Sequence, residues 1–174
     1  MQSRWRATVH WTAGRHTPNL TDIGHYHVLI TGDGNVVSGK YKPENNIPPY
    51  SAGYAAHCHK QNSYNIGIAL CGMFNYSPGH PSPAPITKVQ FEKLCEVCAE
   101  LSLHEIYRVP VADIKTHYER GEMDKKLGVW SLNIGKLDIT HLPFEPSLKP
   151  EEIGNHMRQK ILWYRQKLQE KENG

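Results

Sequence analysis

The sequence predicts an α/β fold, a mixed central β-sheet flanked by helices, built as a single domain over residues 1–174. Three observations lead there. Strand-like alternation and helix-like periodicity interleave from one end to the other. A hydrophobic content of 39% over 174 residues supplies one core, while the length is short for two. Neither an internal repeat nor a linker-like stretch divides the chain.

Trp5 to His10 alternates as a half-buried strand, with Trp5, Ala7 and Val9 on one face and Arg6, Thr8 and His10 on the other. His10 therefore leaves the core side at a strand end. Tyr26 to Val37 reads as a hairpin turning at Gly32-Asp33-Gly34-Asn35, which sets Tyr26 on one side and His25 and His27 on the opposite, structural one. Lys42 to Ala56 is loop-like. Asn65 to Cys71 is a strand whose Gly67, Ala69 and Cys71 face carries only small side chains, leaving room for a ligand or a closely packed helix.

After a loop holding Pro78, Pro81, Pro83 and Pro85, Thr87 and Gln90 stand at capping-box spacing before a helix striped by Phe91, Leu94, Cys95, Cys98 and Leu101. Val111 to His117 predicts a short strand, and a C-terminal helix is expected from about 150 to 171, with Ile153, Met157, Ile161, Leu162 and Leu168 available for burial. Its Arg158, Lys160, Arg165 and Lys167 read as a solvated basic face; the alternative, with Trp163 and Tyr164, is a membrane-surface element.

Composition narrows the function. A formal charge of +3 is too mild for a nucleic-acid partner. No run approaches the ~20 apolar residues of a membrane span, so no stable membrane insertion is expected, and the first residues lack the apolar stretch of a secretory signal. The four cysteines, Cys58, Cys71, Cys95 and Cys98, read as reduced thiols. Eleven histidines make a metal or acid/base site worth seeking.

Three patterns carry candidate chemistry: Val9-His10-Trp11-Thr12-Ala13-Gly14 at the end of the first strand, Lys115-Thr116-His117 at the end of a late one, and Gly135-Lys136-Leu137-Asp138 beyond it. Two imidazoles and one carboxylate would leave the fourth tetrahedral position of zinc open, the arrangement of a catalytic rather than a structural site. With Tyr26-His27-Val28-Leu29-Ile30, His57 and Asn65-Ile66-Gly67-Ile68-Ala69-Leu70-Cys71-Gly72, these segments resemble the zinc N-acetylmuramoyl-L-alanine amidases, the superfamily of phage endolysins, anhydro-muropeptide amidases and peptidoglycan recognition proteins.

The resemblance implies that fold, one zinc per chain held by His10, His117 and Asp138, Tyr26 and Lys136 as catalytic groups, and His57 near the substrate. It also implies bacterial peptidoglycan or muropeptides as substrate. The expected protein is a monomer made in the cytoplasm without a signal peptide and acting on the periplasmic wall after release. A phage or prophage endolysin is the leading reading; a non-catalytic peptidoglycan-binding module and a muropeptide-recycling amidase are the alternatives. Three departures from the family pattern stand out. Ala69 occupies the place where some relatives carry a catalytic Glu. His117 and Asp138 are about a dozen residues further apart than expected, which leaves Asp124 and Glu122 as rival ligands. The segment before Tyr26 is short, so the first helix is expected to be reduced or missing.

Overall fold

The computed structural model describes residues 2–174. Five strands form one sheet in the order β3-β2-β4-β1-β5. β1 (Arg6–Trp11) lies in parallel register between β4 (Asn65–Leu70) and β5 (Ile114–Thr116). β2 (Val28–Ile30) runs parallel to β4 on its other side, and β3 (Val36–Ser38) closes the edge as the antiparallel arm of a hairpin. The expected mixed sheet flanked by helices is therefore present.

Alternation in β1 and β4 builds the main core. Ala7, Val9, Ile66, Ile68 and Leu70 pack against Phe91, Leu94, Cys95 and Cys98 of α2 (Lys88–Leu103) and Ile153, Met157 and Ile161 of α4 (Pro150–Glu172). Each such Val, Ile, Leu, Phe or Met side chain taken from water contributes roughly 1.5–3 kcal/mol. Thr87 and Gln90 form the anticipated capping box on α2, and all four cysteines are buried free thiols. On the opposite face a smaller cluster of Leu29, Ala69 and Cys71 is covered by Ile23, Tyr26 and Val37.

Several local expectations need correction. The strand before the hairpin turn is shorter than predicted, because Asn19 and Asp22 form a capping box and nucleate a six-residue helix α1 (Leu20–His25) that Tyr26 ends. Tyr26 and His25 thus leave a helix terminus rather than a strand. Strand alternation does not separate them, and His25 lines the same cleft as Tyr26 instead of facing away. A helix absent from the sequence reading, α3 (His117–Lys126), starts directly after β5.

Leu162 of α4 is exposed rather than buried. The basic face of that helix is largely paired: the Arg158 guanidinium donates to both carboxylate oxygens of Glu119 at 2.9 and 2.7 Å, and Lys160 donates to Glu92 at 2.6 Å. Glu119 also accepts from the Thr116 backbone N–H in the capping box of α3, so α4 clamps the junction where β5 becomes α3.

Amides and one imidazole fasten the long segment between β3 and β4. Asn46, fully buried, donates to the carbonyls of Ala55 and Asn62. His27 donates from Nε2 to Asn46 Oδ1 and accepts the Gly67 backbone N–H at Nδ1, both at 2.9 Å. Burial lowers the His27 pKa from about 6.5 to about 4, despite the opposing hydrogen bond to Asn46. The unfolded chain accordingly takes up a proton near pH 6.5 that the folded chain refuses until near pH 4, so folding stability falls as pH drops through that window. His27 alone should account for about 3 kcal/mol of this acid loss. Urea unfolding of wild type and His27→Gln between pH 7 and pH 4 should show a shallower decline in the variant; equal slopes would contradict this account.

Candidate active site

Parallel pairing brings the two distant histidines together. Val9 of β1 is in register with Thr116 of β5, so His10 and His117, the next residues, emerge side by side at the same end of the sheet. Thr116 also caps α3 through its side chain, which turns the chain sharply after the strand and makes His117 the first helical residue. Asp138 arrives from the loop beyond α3. Its neighbour Ile139 takes φ +64°, a strained conformation for a β-branched residue. Complete burial of the Ile139 side chain holds it there, and the carboxylate is aimed at the histidines.

Hydrogen bonds settle which imidazole nitrogens carry protons. His57 Nε2 lies 2.9 Å from the Asn65 carbonyl oxygen and must donate to it. In the neutral ring Nδ1 is then an acceptor, and it faces His10 Nε2 at 2.9 Å, so His10 donates from Nε2. His117 Nε2 lies 2.9 Å from Asn133 Oδ1. That amide is oriented by its own donations to the His59 carbonyl and to Asp124, so its oxygen accepts and His117 also donates from Nε2. In the neutral form of both rings each Nδ1 consequently carries a bare lone pair.

These lone pairs converge. The two Nδ1 atoms are 3.1 Å apart, and Asp138 Oδ2 lies 3.3 Å from His10 Nδ1 and 3.4 Å from His117 Nδ1. Burial, reinforced by His117, lowers the His10 pKa to about 4, so its ring stays neutral at physiological pH. Three acceptors thus meet at close range with no hydrogen between them, an arrangement that a divalent ion satisfies and neutral protein groups do not.

Each predicted site residue can now be placed. His10, His117 and Asp138 come together at one point. Tyr26 lines the adjoining cleft with its ring 5.0 Å from that of His10, and burial pushes its hydroxyl above the usual pKa, which keeps it a donor. Lys136 is exposed on the wall of the same cleft, a space of about 840 Å³. His57 reaches that wall too, but its two ring nitrogens are engaged by His10 and Asn65, so it orients His10 rather than presenting a polar atom to a ligand. The rival carboxylate Asp124 is withdrawn: buried, it accepts from Gln61, Ser131 and Asn133. Glu122, the other rival, is exposed on α3 and takes no part in the cluster.

Sequence reading missed the supports. Asn65, Asn133 and Asp124 fix the tautomers of the two histidines, and Gly67 and Gly121 make space for this. A Cβ on Gly67 would sit 2.7 Å from the His57 ring, and one on Gly121 would collide with the carbonyl of Asn133. Of the small residues that the sequence showed on one face of this segment, Gly67 accommodates the buried His57 ring, while Ala69 and Cys71 are covered by Ile23 of α1, Tyr26 and Val37.

A family profile described as N-acetylmuramoyl-L-alanine amidase (Amidase_2) matches residues 3–127. The chain belongs to this amidase family. The matched stretch contains His10, Tyr26, His57 and His117 and ends before Lys136 and Asp138, so geometry alone brings the carboxylate into the amidase site. Among solved structures, the chain is similar to the N-acetylmuramyl-L-alanine amidase AmiD from E. coli in complex with the substrate anhydro-N-acetylmuramic acid-L-Ala-D-gamma-Glu-L-Lys. That match has 16% identity and a TM-score of 0.46, covering 75% of this chain and 62% of that one. This chain therefore spans less than two thirds of that amidase. No curated protein matches the chain.

The geometry separates direct from indirect loss of an ion. Asp138→Ala removes one of three donors and should abolish retention of a stoichiometric divalent metal during dialysis. Asp124→Ala frees Asn133, Gln61 and Ser131 but removes no donor from the cluster, and its affinity should fall by about 10–100-fold, the usual cost of losing an outer-shell partner. Isothermal titration with the metal distinguishes the two; equal loss in both would undo the assignment of Asp138.

Proposed function

We propose that the chain is a zinc-dependent N-acetylmuramoyl-L-alanine amidase that hydrolyses the amide bond between N-acetylmuramic acid and L-alanine of bacterial peptidoglycan. The observation that carries this reading is the triangle of bare donors, with edges of 3.1, 3.3 and 3.4 Å. Zinc bonds of about 2.0–2.1 Å to nitrogen and oxygen imply tetrahedral edges of about 3.3 Å. Two neutral imidazoles and one carboxylate also suit zinc better than calcium or magnesium, which prefer all-oxygen shells.

His10, His117 and Asp138 would hold the ion and leave one position open toward the cleft. When bound, zinc supplies Lewis acidity for the scissile carbonyl and acidifies water. The remaining roles belong to the chain. His57 and Asn133 keep both ligand imidazoles in the tautomer that offers Nδ1. The Tyr26 hydroxyl, protonated throughout the physiological range, donates to the oxygen of the substrate carbonyl as charge develops there. Lys136, on the cleft wall two residues before Asp138, brings an ammonium to the same oxyanion.

Ala69 supports the endolysin reading over the recycling one. It sits in register with His10 on β1 and Leu29 on β2, buried with Cys71, and its methyl offers no general base beside the metal site. Catalysis then falls to Tyr26 and Lys136, the pair that the resemblance to phage amidases implies. The complete donor set likewise disfavours a purely binding module.

Digestion of purified sacculi should release new L-alanine amino termini and no new reducing sugars, and chelation should stop it. Lys136→Ala should lower kcat by roughly 100-fold or more, as loss of an oxyanion donor does, with zinc still bound. Lytic activity that survives complete metal removal would refute the mechanism, and wild-type turnover in Lys136→Ala would remove that lysine from it.

A further inference from the structure

The segment that lengthens the spacing between His117 and Asp138 is built inside out. Its polar residues point inward: Ser131 donates to Asp124, while Asn133 holds His59, Asp124 and His117, and both are buried. Its apolar residues point outward. Leu127 is 74% exposed and Trp130 68%, and Val129, Leu132, Ile134 and Leu137 are also exposed. Six large apolar side chains facing water within eleven residues mark a surface meant to be covered.

Positive charge surrounds it. Lys125 and Lys126 precede the segment at the end of α3, Lys136 lies within it, and the Lys60 ammonium sits 5.4 Å from the centre of the Trp130 ring. None of these four lysines is in an ion pair among the described residues, in contrast to Arg158 and Lys160 of α4. Of the nearby carboxylates, Asp124 is buried and hydrogen-bonded and Asp138 belongs to the donor cluster, which leaves Glu122, exposed on α3, against the four lysines.

We propose that residues 127–137 form an interfacial loop that rests on an anionic lipid bilayer, with Trp130 and its aliphatic neighbours entering the headgroup boundary and Lys60, Lys125 and Lys126 meeting acidic headgroups. An aromatic residue flanked by aliphatic ones and by unpaired lysines is the composition that such an interface selects. A glycan is a poorer occupant, since the six outward apolar side chains, the indole N–H apart, offer no hydrogen-bonding groups for sugar hydroxyls. A second copy of the chain is also disfavoured, because it would bring eight like charges together. Leu132 and Lys136 line the catalytic cleft as well, so the contact sets the cleft mouth at the membrane surface.

The test is sedimentation of the full chain with vesicles of phosphatidylcholine alone or mixed with phosphatidylglycerol. Binding to the anionic vesicles should exceed that to the neutral ones and weaken with salt. Leu127→Ser and Trp130→Ser, neither in the donor cluster nor in the cleft lining, should each reduce it about tenfold with an unchanged circular dichroism spectrum. In a Trp163→Phe background, tryptophan emission should shift to the blue on adding anionic vesicles through Trp130. Absence of preferential binding, unchanged binding by both variants, or partition only onto sacculi or into self-associated protein would overturn the proposal. None of these readouts depends on amidase activity.

Discussion

The electrostatic constraint on which the rest of the structure depends is the meeting of two imidazole lone pairs and a carboxylate in a buried corner. Left alone, this contact is repulsive. It persists because each donor is held from behind: His10 by His57 and Asn65, His117 by Asn133 and Asp124, and Asp138 by the strained turn at Ile139. Buried hydrogen bonding that keeps two Nδ1 atoms bare beside a carboxylate gives the fold a corner that can hold a cation.

Sheet topology makes that economical. Because β1 lies between β4 and β5 in parallel register, residues far apart in sequence reach the same edge, and the next turn of chain, α3, adds His117 at its first position. The Glu119 to Arg158 bridge then ties this junction to α4, so a helix remote from the cleft contributes to the placement of a donor atom. Coupling of this kind explains why a helix whose basic residues suggested a surface role is mostly structural.

Much of this was legible in the sequence, for identifiable reasons. The division of faces in β1 and β4, the Thr87 and Gln90 box and the apolar stripe of α2 are local signals, and they survive in the structure, although β1, read as half-buried, is buried on both faces, Thr8 and His10 included. The donor triad was legible through the resemblance its motifs carry. What escaped was non-local or inverted. Tyr26 ends a helix nucleated by Asn19 and Asp22, so its strand reading failed. His57 carries an ordinary motif position, but its partners come from β1 and β4. The stretch after His117 has polar residues inside and apolar ones outside, which defeats any pattern that assumes the reverse.

The central claim concerns protons that coordinates do not display, and nitrogen NMR of the imidazoles reads them directly. In metal-free protein at neutral pH, His10 and His117 should both give the shifts of rings protonated at Nε2 only, and adding zinc should move both Nδ1 resonances while leaving Nε2–H intact. Protonation at Nδ1 of either ring in the neutral state, or a zinc-induced change at Nε2 instead, would contradict the account.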